Sequence, residues 1–220
     1  VETSMTASLA ESFSPHQDLA RSLIPHASAG DDGSHDLAHI ARVFKNAMRI
    51  HQHEGGDGRV LAAAVLLHDC VAVEKNSPLR NQASRLAAEK AAGILGEMGW
   101  SETDIDAVSH AILTHSFSAN LEPQTIEANI LQDADRLDAI GMIGAARCFY
   151  IAGRMGSALY DPADPLAKHR PLDDRTFAID HFETKLFKLA DGFKTQAGRQ
   201  AANERHQRLK SVLDLFLDEI

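Results

Sequence analysis

Cysteine is scarce in this sequence: of 220 residues, two are Cys, at positions 70 and 148. Two thiols make no disulfide framework, which points to a reducing, cytoplasmic setting. Basic residues are outnumbered, 22 Lys and Arg against 31 Asp and Glu, for a formal net charge of −9. That balance argues against nonspecific binding to nucleic acid or an anionic membrane, while leaving room for a local basic pocket. No apolar run approaches the ~20 residues a membrane span needs. The first residues lack the charged-then-apolar pattern of a secretory signal. Sustained strand alternation, repeats and low-complexity segments are also missing. What is present is 44% hydrophobic residues, set at helical spacing. The expected fold is all-α, a single-domain helical bundle with its site between helices.

One stretch organises the rest. Val60 to Leu67 is apolar with no polar face and runs directly into His68-Asp69-Cys70, so it reads as a helix buried on all sides. A buried helix ending in His-Asp is costly unless both groups are paired or hold a metal. A neutral imidazole and a carboxylate are suitable ligands for one divalent cation.

The flanking segments supply candidates to join that pair. Residues 1–29 hold an amphipathic segment broken near Pro15, with no evident chemistry, His16 and His26 included. Gly30 to Ser34 is a loop, and Ser34 is a plausible N-cap. The helix expected from His35 to His53 carries Ile40, Val43, Phe44, Ala47 and Met48 on one stripe, and His39 lies along it. After Asp69 a polar loop offers Lys75 and Arg80 as phosphate-binding cations, against a bland reading as surface charge. A helix is expected from Asn81 to Met98. In the next one Ile105, Val108, Ile112 and His115 share an arc, with His110 nearly opposite. His115 is therefore the inward histidine, either a core-edge residue or a ligand for a second metal or for substrate.

Ile126 to Tyr150 reads as one long helix or two joined segments, carrying Asp133, Asp135, Arg136 and Asp138. Gly141 and Gly144 would let another backbone come close. Ala152 to Asp174 is a long Pro- and Asp-rich connection, either a lid or a passive loop. Helices are expected again over Arg175 to Leu189, which bears Lys185 and Lys188, and over Lys194 to Ile220. The last stripe, Leu209, Leu213, Phe216 and Ile220, serves core packing or a homodimer contact.

Taken in order, His39, His68-Asp69 and Asp135 resemble the H…HD…D signature of the HD-domain phosphohydrolases. Ser34-His-Asp-x-x-His39-x-x-Arg-Val43, Leu66-Leu-His-Asp69, Lys75-Asn76-x-Pro78 and Asp133-Ala-Asp-Arg-Leu-Asp138 are similar to a bacterial subgroup of small single-domain HD hydrolases acting on nucleotides. The resemblance divides the chain into a helical segment (1–29), the HD core (30–150) and a loop with C-terminal helices completing the same domain (151–220). It implies that His39, His68, Asp69 and Asp135 hold one divalent transition metal (Mn, Co, Ni, Fe or Zn). Asp69 would also hold the attacking water, and Lys75, Arg80, His115, Arg136 and Lys185 would contact the substrate. Helical periodicity measured from Ile130, Leu137 and Ile140 instead turns Asp133 inward, so Asp133 is the runner-up ligand. Some HD nucleotidases carry an acidic residue three positions after the HD aspartate, where this chain has Ala72. The expected activity is cleavage of (deoxy)nucleoside triphosphates to monophosphate and pyrophosphate. The alternatives are a nucleoside monophosphatase and a metal-retaining module without turnover.

Overall fold

The computed structural model describes residues 9–27, 37–73, 80–116 and 121–220, and it is helical throughout. The described elements are α1 (Gln17–Leu23), α2 (Leu37–Glu54), α3 (Gly58–Leu67), α4 (Ala83–Glu97), α5 (Glu102–His115), α6 (Ile126–Leu137), α7 (Gly141–Met155), α8 (Asp180–Thr184) and α9 (Gln196–Asp218). Among the described residues the extended pairing is one isolated bridge, Ala158 with Phe177. No helix there is long and apolar enough to cross a membrane. The chain divides into two compact units, Val1–Asp135 and Arg136–Ile220.

The first unit is built around α3, which packs against α1, α2, α4 and α5. Asp57 caps its start, the carboxylate accepting from the backbone N–H groups of Arg59 (2.8 Å) and Val60 (3.0 Å), so two orphan donors are satisfied. Residues 61–67 are wholly buried, as the absence of a polar face requires. Burying each of its Leu and Val side chains stabilises by about 1.5–3 kcal/mol. α2 lays Ile40, Val43, Phe44, Ala47 and Ile50 against this core. Ser101 caps α5 by accepting from the Asp104 N–H (3.2 Å). Cys70 and Cys148 are buried free thiols, and burial pushes both up to about 11, which leaves them protonated and inert.

In the second unit, α7 and α9 enclose a core of Ala145, Cys148, Ile179, Phe182, Leu186, Leu209 and Leu213. The stretch expected to run from 126 to 150 breaks after Leu137. Gly141 has φ +72°, and a Cβ on Gly144 would lie 2.4 Å from the Ala139 carbonyl oxygen. Both positions therefore demand glycine. The helix expected over 175–189 is shorter, because α8 ends at Thr184 and a 3-10 turn follows over Leu186–Ala190.

The long connection between α7 and α8 is stitched down. Arg170 donates to both oxygens of buried Asp180 (2.6 and 3.0 Å) and places Nε 3.1 Å from Asp161 Oδ2. The Asp173 N–H adds a third bond to Asp180 (2.7 Å). Asp174 takes hydrogen bonds from the His181 ring and the Thr184 hydroxyl, both at 2.8 Å. These bonds hold the Pro- and Asp-rich stretch against its own unit, the behaviour of a fixed surface loop.

Candidate metal centre

α3 ends by delivering His68 and Asp69 to one point, and three other elements of the first unit bring side chains to meet them. His39 comes from the second residue pair of α2, His115 from the last residue of α5, and Asp135 from the last turn of α6. The three imidazoles are buried, 1% exposed for His39 and His68 and 7% for His115. The carboxylate side chains form the rim, 32% exposed at Asp69 and 30% at Asp135. Buried nitrogens behind half-open carboxylates make a site that can admit a ligand from one side.

The donor atoms converge. His39 Nε2 and His68 Nε2 are 3.3 Å apart. Asp135 Oδ1 lies 3.4 Å from His39 Nε2 and 3.9 Å from His68 Nε2, and Asp69 Oδ2 lies 3.4 Å from His68 Nε2 and 3.8 Å from His39 Nε2. Two nitrogens bonded at about 2.0–2.1 Å to one ion, at angles between octahedral and tetrahedral, stand roughly 2.9–3.4 Å apart. The spacing of the two imidazoles therefore fits a shared cation. Two imidazoles with two carboxylates suit a mid-series divalent ion.

Local bonds prepare two of the imidazoles. His68 Nδ1 is 2.7 Å from the Val65 carbonyl, and His115 Nδ1 is 2.6 Å from the Ile112 carbonyl. A carbonyl only accepts, so each Nδ1 carries a proton, which turns Nε2 toward the cluster as the nitrogen open to a cation. Burial pushes the His68 imidazole below its ordinary 6.5, reinforced by His115 and His39 and opposed by Asp69 and Asp135. Burial alone would raise the Asp135 carboxyl. A hydrogen bond from His39 holds it well below the usual carboxylate range. An ionised carboxylate and a bare imidazole nitrogen are the protonation states a metal requires.

His115 joins from the far side of Asp69. Its Nε2 lies 3.9 Å from Asp69 Oδ1, and its ring stands edge-on to His68 with centroids 5.0 Å apart. Asp69 thus turns one oxygen toward His39 and His68 and the other toward His115. Among the described residues, His39, His68 and Asp135 form one group able to hold an ion, and His68, Asp69 and His115 form another.

Of the two candidate aspartates, Asp133 is buried, 1% exposed, as periodicity requires, and Asp135 Oδ1 lies 3.4–3.9 Å from Nε2 of His39 and His68. Asp135 sits at the edge of the inward face, where a helix meets a solvent-open site. Arg136, next in sequence, stacks over Phe193 (5.4 Å) and donates to the Gly192 carbonyl (3.5 Å) within its own unit. Lys185 is exposed at the junction of α8 and the following 3-10 turn. Lys75 lies outside the described residues, as do Ser34, Asn76 and Pro78. Arg80 opens the 3-10 turn Arg80–Gln82. Ala72 is exposed, and His110 faces away to accept from the Gln124 N–H (3.0 Å).

Sequence reasoning missed the residues that hold these helices in register. Buried Asn46 donates to the Ala134 carbonyl (3.2 Å), and buried Gln132 donates to the Thr114 carbonyl (2.9 Å). Each bond lands on the residue just before a member of the cluster, Asp135 or His115, in the last turn of its helix where carbonyls lack intrahelical donors. Lys90 does the same for the stretch after Asp69, donating to the Cys70 carbonyl (2.9 Å). The signal available was an amide at an otherwise apolar helix position.

A bundle that gathers three histidines and two aspartates at a half-open rim defines a class: an all-α protein with a candidate divalent-metal centre. Residues 36–140 match the HD domain model. The chain is 34% identical over 180 residues to YpgQ of Bacillus subtilis (strain 168), covering 80% of each. A crystal structure of an HD-superfamily hydrolase from Bacillus thuringiensis superposes with a TM-score of 0.72 at 31% identity, covering 93% of this chain and 97% of that one. The crystal structure of Bacillus subtilis YpgQ in complex with ADP has a TM-score of 0.64 at 33% identity, covering 84% and 87%. The chain belongs to the HD-domain family, as a phosphohydrolase that depends on a metal.

Proposed function

We propose that this enzyme hydrolyses (deoxy)nucleoside triphosphates to the monophosphate and pyrophosphate, with one divalent ion held by His39, His68, Asp69 and Asp135. The observation that carries the reading is the convergence of these four side chains at 3.3–3.9 Å, with His115 Nε2 3.9 Å from the other oxygen of Asp69. The nucleotide part is supported by the relative crystallised with ADP. When bound, the ion lowers the pKa of water and offsets charge on a phosphoryl oxygen.

The chain's own groups divide the remaining work. Asp69 Oδ1, on the side of His115, accepts a hydrogen bond from the attacking water and takes up its proton as the water oxygen bonds to the α-phosphorus. The bond from that phosphorus to the bridging oxygen breaks, and the electron pair leaves with pyrophosphate. With Ala72 where an acid could stand, the leaving group departs as an anion stabilised by cations or protonated by solvent. His115 contacts the substrate. Lys75, Arg80, Arg136 and Lys185 are the cations assigned to the phosphate tail, because a triphosphate carries more negative charge than one divalent ion offsets.

The products decide the reading. Anion-exchange chromatography of a triphosphate digest should show pyrophosphate rising in step with monophosphate. Lys75→Ala or Arg80→Ala should lower kcat/KM roughly ten- to hundredfold, the loss of one charge-assisted contact. Orthophosphate released from monophosphates alone, with both variants behaving as wild type, would replace this reading with the monophosphatase.

A further inference from the structure

A corner of the first unit gathers imidazoles that the metal centre does not use. His16 stands just before α1, His51 lies in the last turn of α2, and Gly58 is the first residue of α3. A Cβ on Gly58 would lie 3.1 Å from His51 Nε2 and 3.3 Å from His16 Nε2. Two ring nitrogens from separate elements therefore converge on one point. Gly58 has no positive φ, so its backbone does not demand glycine, and glycine is a poor helix former. The place taken by the two imidazoles is what leaves no room for a larger side chain.

Each ring is held in place. His51 Nδ1 lies 2.8 Å from the Gly55 carbonyl, which only accepts, so Nδ1 carries a proton and Nε2 is the nitrogen open to a cation. The His16 ring stands edge-on to buried Phe44, with centroids 6.5 Å apart. Burial pushes the His16 imidazole below its ordinary 6.5, opposed by the charge of Asp57 and reinforced by His51. A ring so lowered is neutral at pH 7, as a metal ligand must be. Asp57 adds a carboxylate to the corner. It caps α3 through Oδ1, which accepts from the Arg59 and Val60 N–H groups, so ligation through Oδ2 leaves the cap in place. His16 and His51 are half-buried and Asp57 is exposed, so an ion reaches them from solvent.

We propose that His16, His51 and Asp57 form a second metal site, which takes a zinc ion and ties the segment before α1 to the corner between α2 and α3. Two imidazoles and one carboxylate are zinc ligands, and they leave a fourth, tetrahedral position for water. The exposed Asp57 side chain closes on the ion as it binds. With three protein ligands at a solvent-open corner, against four at the metal centre, this site holds its ion more weakly. It fills from added zinc and is emptied by purification without it. The inference does not depend on which reaction the metal centre performs.

The test is calorimetric titration of the full chain with zinc, the wild type beside His16→Gln and His51→Gln. The wild type should take up one zinc more per chain than either variant. Asp57→Asn keeps an oxygen for the cap and should bind that further zinc about tenfold or more weakly. Gly58→Ala, which adds the crowding Cβ and deletes no ligand, should weaken it as well. Each variant should keep wild-type helicity by circular dichroism and wild-type turnover. Zinc should raise the unfolding temperature of the wild type more than that of His16→Gln, as an ion bound to the folded chain does. In the wild type itself, added zinc should shift the imidazole NMR signals of His16 and His51. Equal zinc uptake by the wild type and both histidine variants, or imidazole signals that stay in place, would overturn the site. Undiminished affinity in Asp57→Asn would overturn the part assigned to the carboxylate. A failed triphosphate reading at the metal centre would leave these differences between wild type and variants unchanged.

Discussion

Asn46 and Gln132 each donate a buried hydrogen bond to a helix carbonyl beside the cluster. Changing either to Ala leaves a buried carbonyl without its partner, at a cost of about 1–3 kcal/mol in stability, measurable by urea denaturation. The neighbours should respond in kcat/KM, because Asp135 and His115 lose the bonds that hold their helix ends. A second contrast belongs to the aspartates. Asp135→Asn should abolish metal retention and turnover, because Asp135 Oδ1 lies 3.4 Å from His39 Nε2, whereas Asp133→Asn should keep the ion. Full metal content in the Asp135 variant, read by elemental analysis, would reverse that assignment. Here the sequence was legible only in part. Periodicity found the face of α6 that packs inward and so pointed to Asp133. A metal ligand at a half-open site belongs at the margin of that face, and the family pattern supplied Asp135 instead. The cross-helix amides were not legible because their acceptors are backbone carbonyls, 88 residues away for Asn46 and 18 for Gln132, and every residue has one.

At the scale of elements, the buried helix α3 was the plainest inference, because eight apolar residues without a polar face have nowhere else to go. The connection between α7 and α8 was the least legible. Its order comes from Arg170, Asp173, Asp174 and Asp180 pairing at separations of 7–10 residues, which follow neither helical nor strand spacing. This predicts a pH-dependent contribution. Hydrogen bonds from His181 and Thr184 hold the Asp174 carboxyl below its ordinary 3.8. The unfolded chain therefore takes up its proton first, and stability falls as pH drops through and below about 3.8. The stability difference between wild type and Asp174→Asn should be level above about pH 5 and shrink on acidification, as followed by thermal unfolding. A difference that persists to low pH would remove Asp174 from the stitching. In the same unit Phe182, wholly buried, edges Phe187 and tilts against Phe149 with ring centroids 6.0 Å apart in each pair. Phe182→Ala should lower stability by about 3–5 kcal/mol.

For the whole molecule, the all-α architecture followed from what the sequence lacks and from its helical stripes, and the HD assignment from four residues in order. The division at Asp135 and Arg136 was not legible, since α6 runs from Ile126 to Leu137 without a Gly or Pro. The central claim is that His39, His68, Asp69 and Asp135 bind one ion on which hydrolysis depends. The most direct test is elemental analysis of purified wild type and Asp69→Ala, paired with phosphohydrolase assays and circular dichroism of both. The account predicts about one divalent ion per chain in the wild type. In the variant it predicts almost none and no turnover, with helicity preserved. Full metal occupancy in a folded Asp69→Ala protein would contradict it.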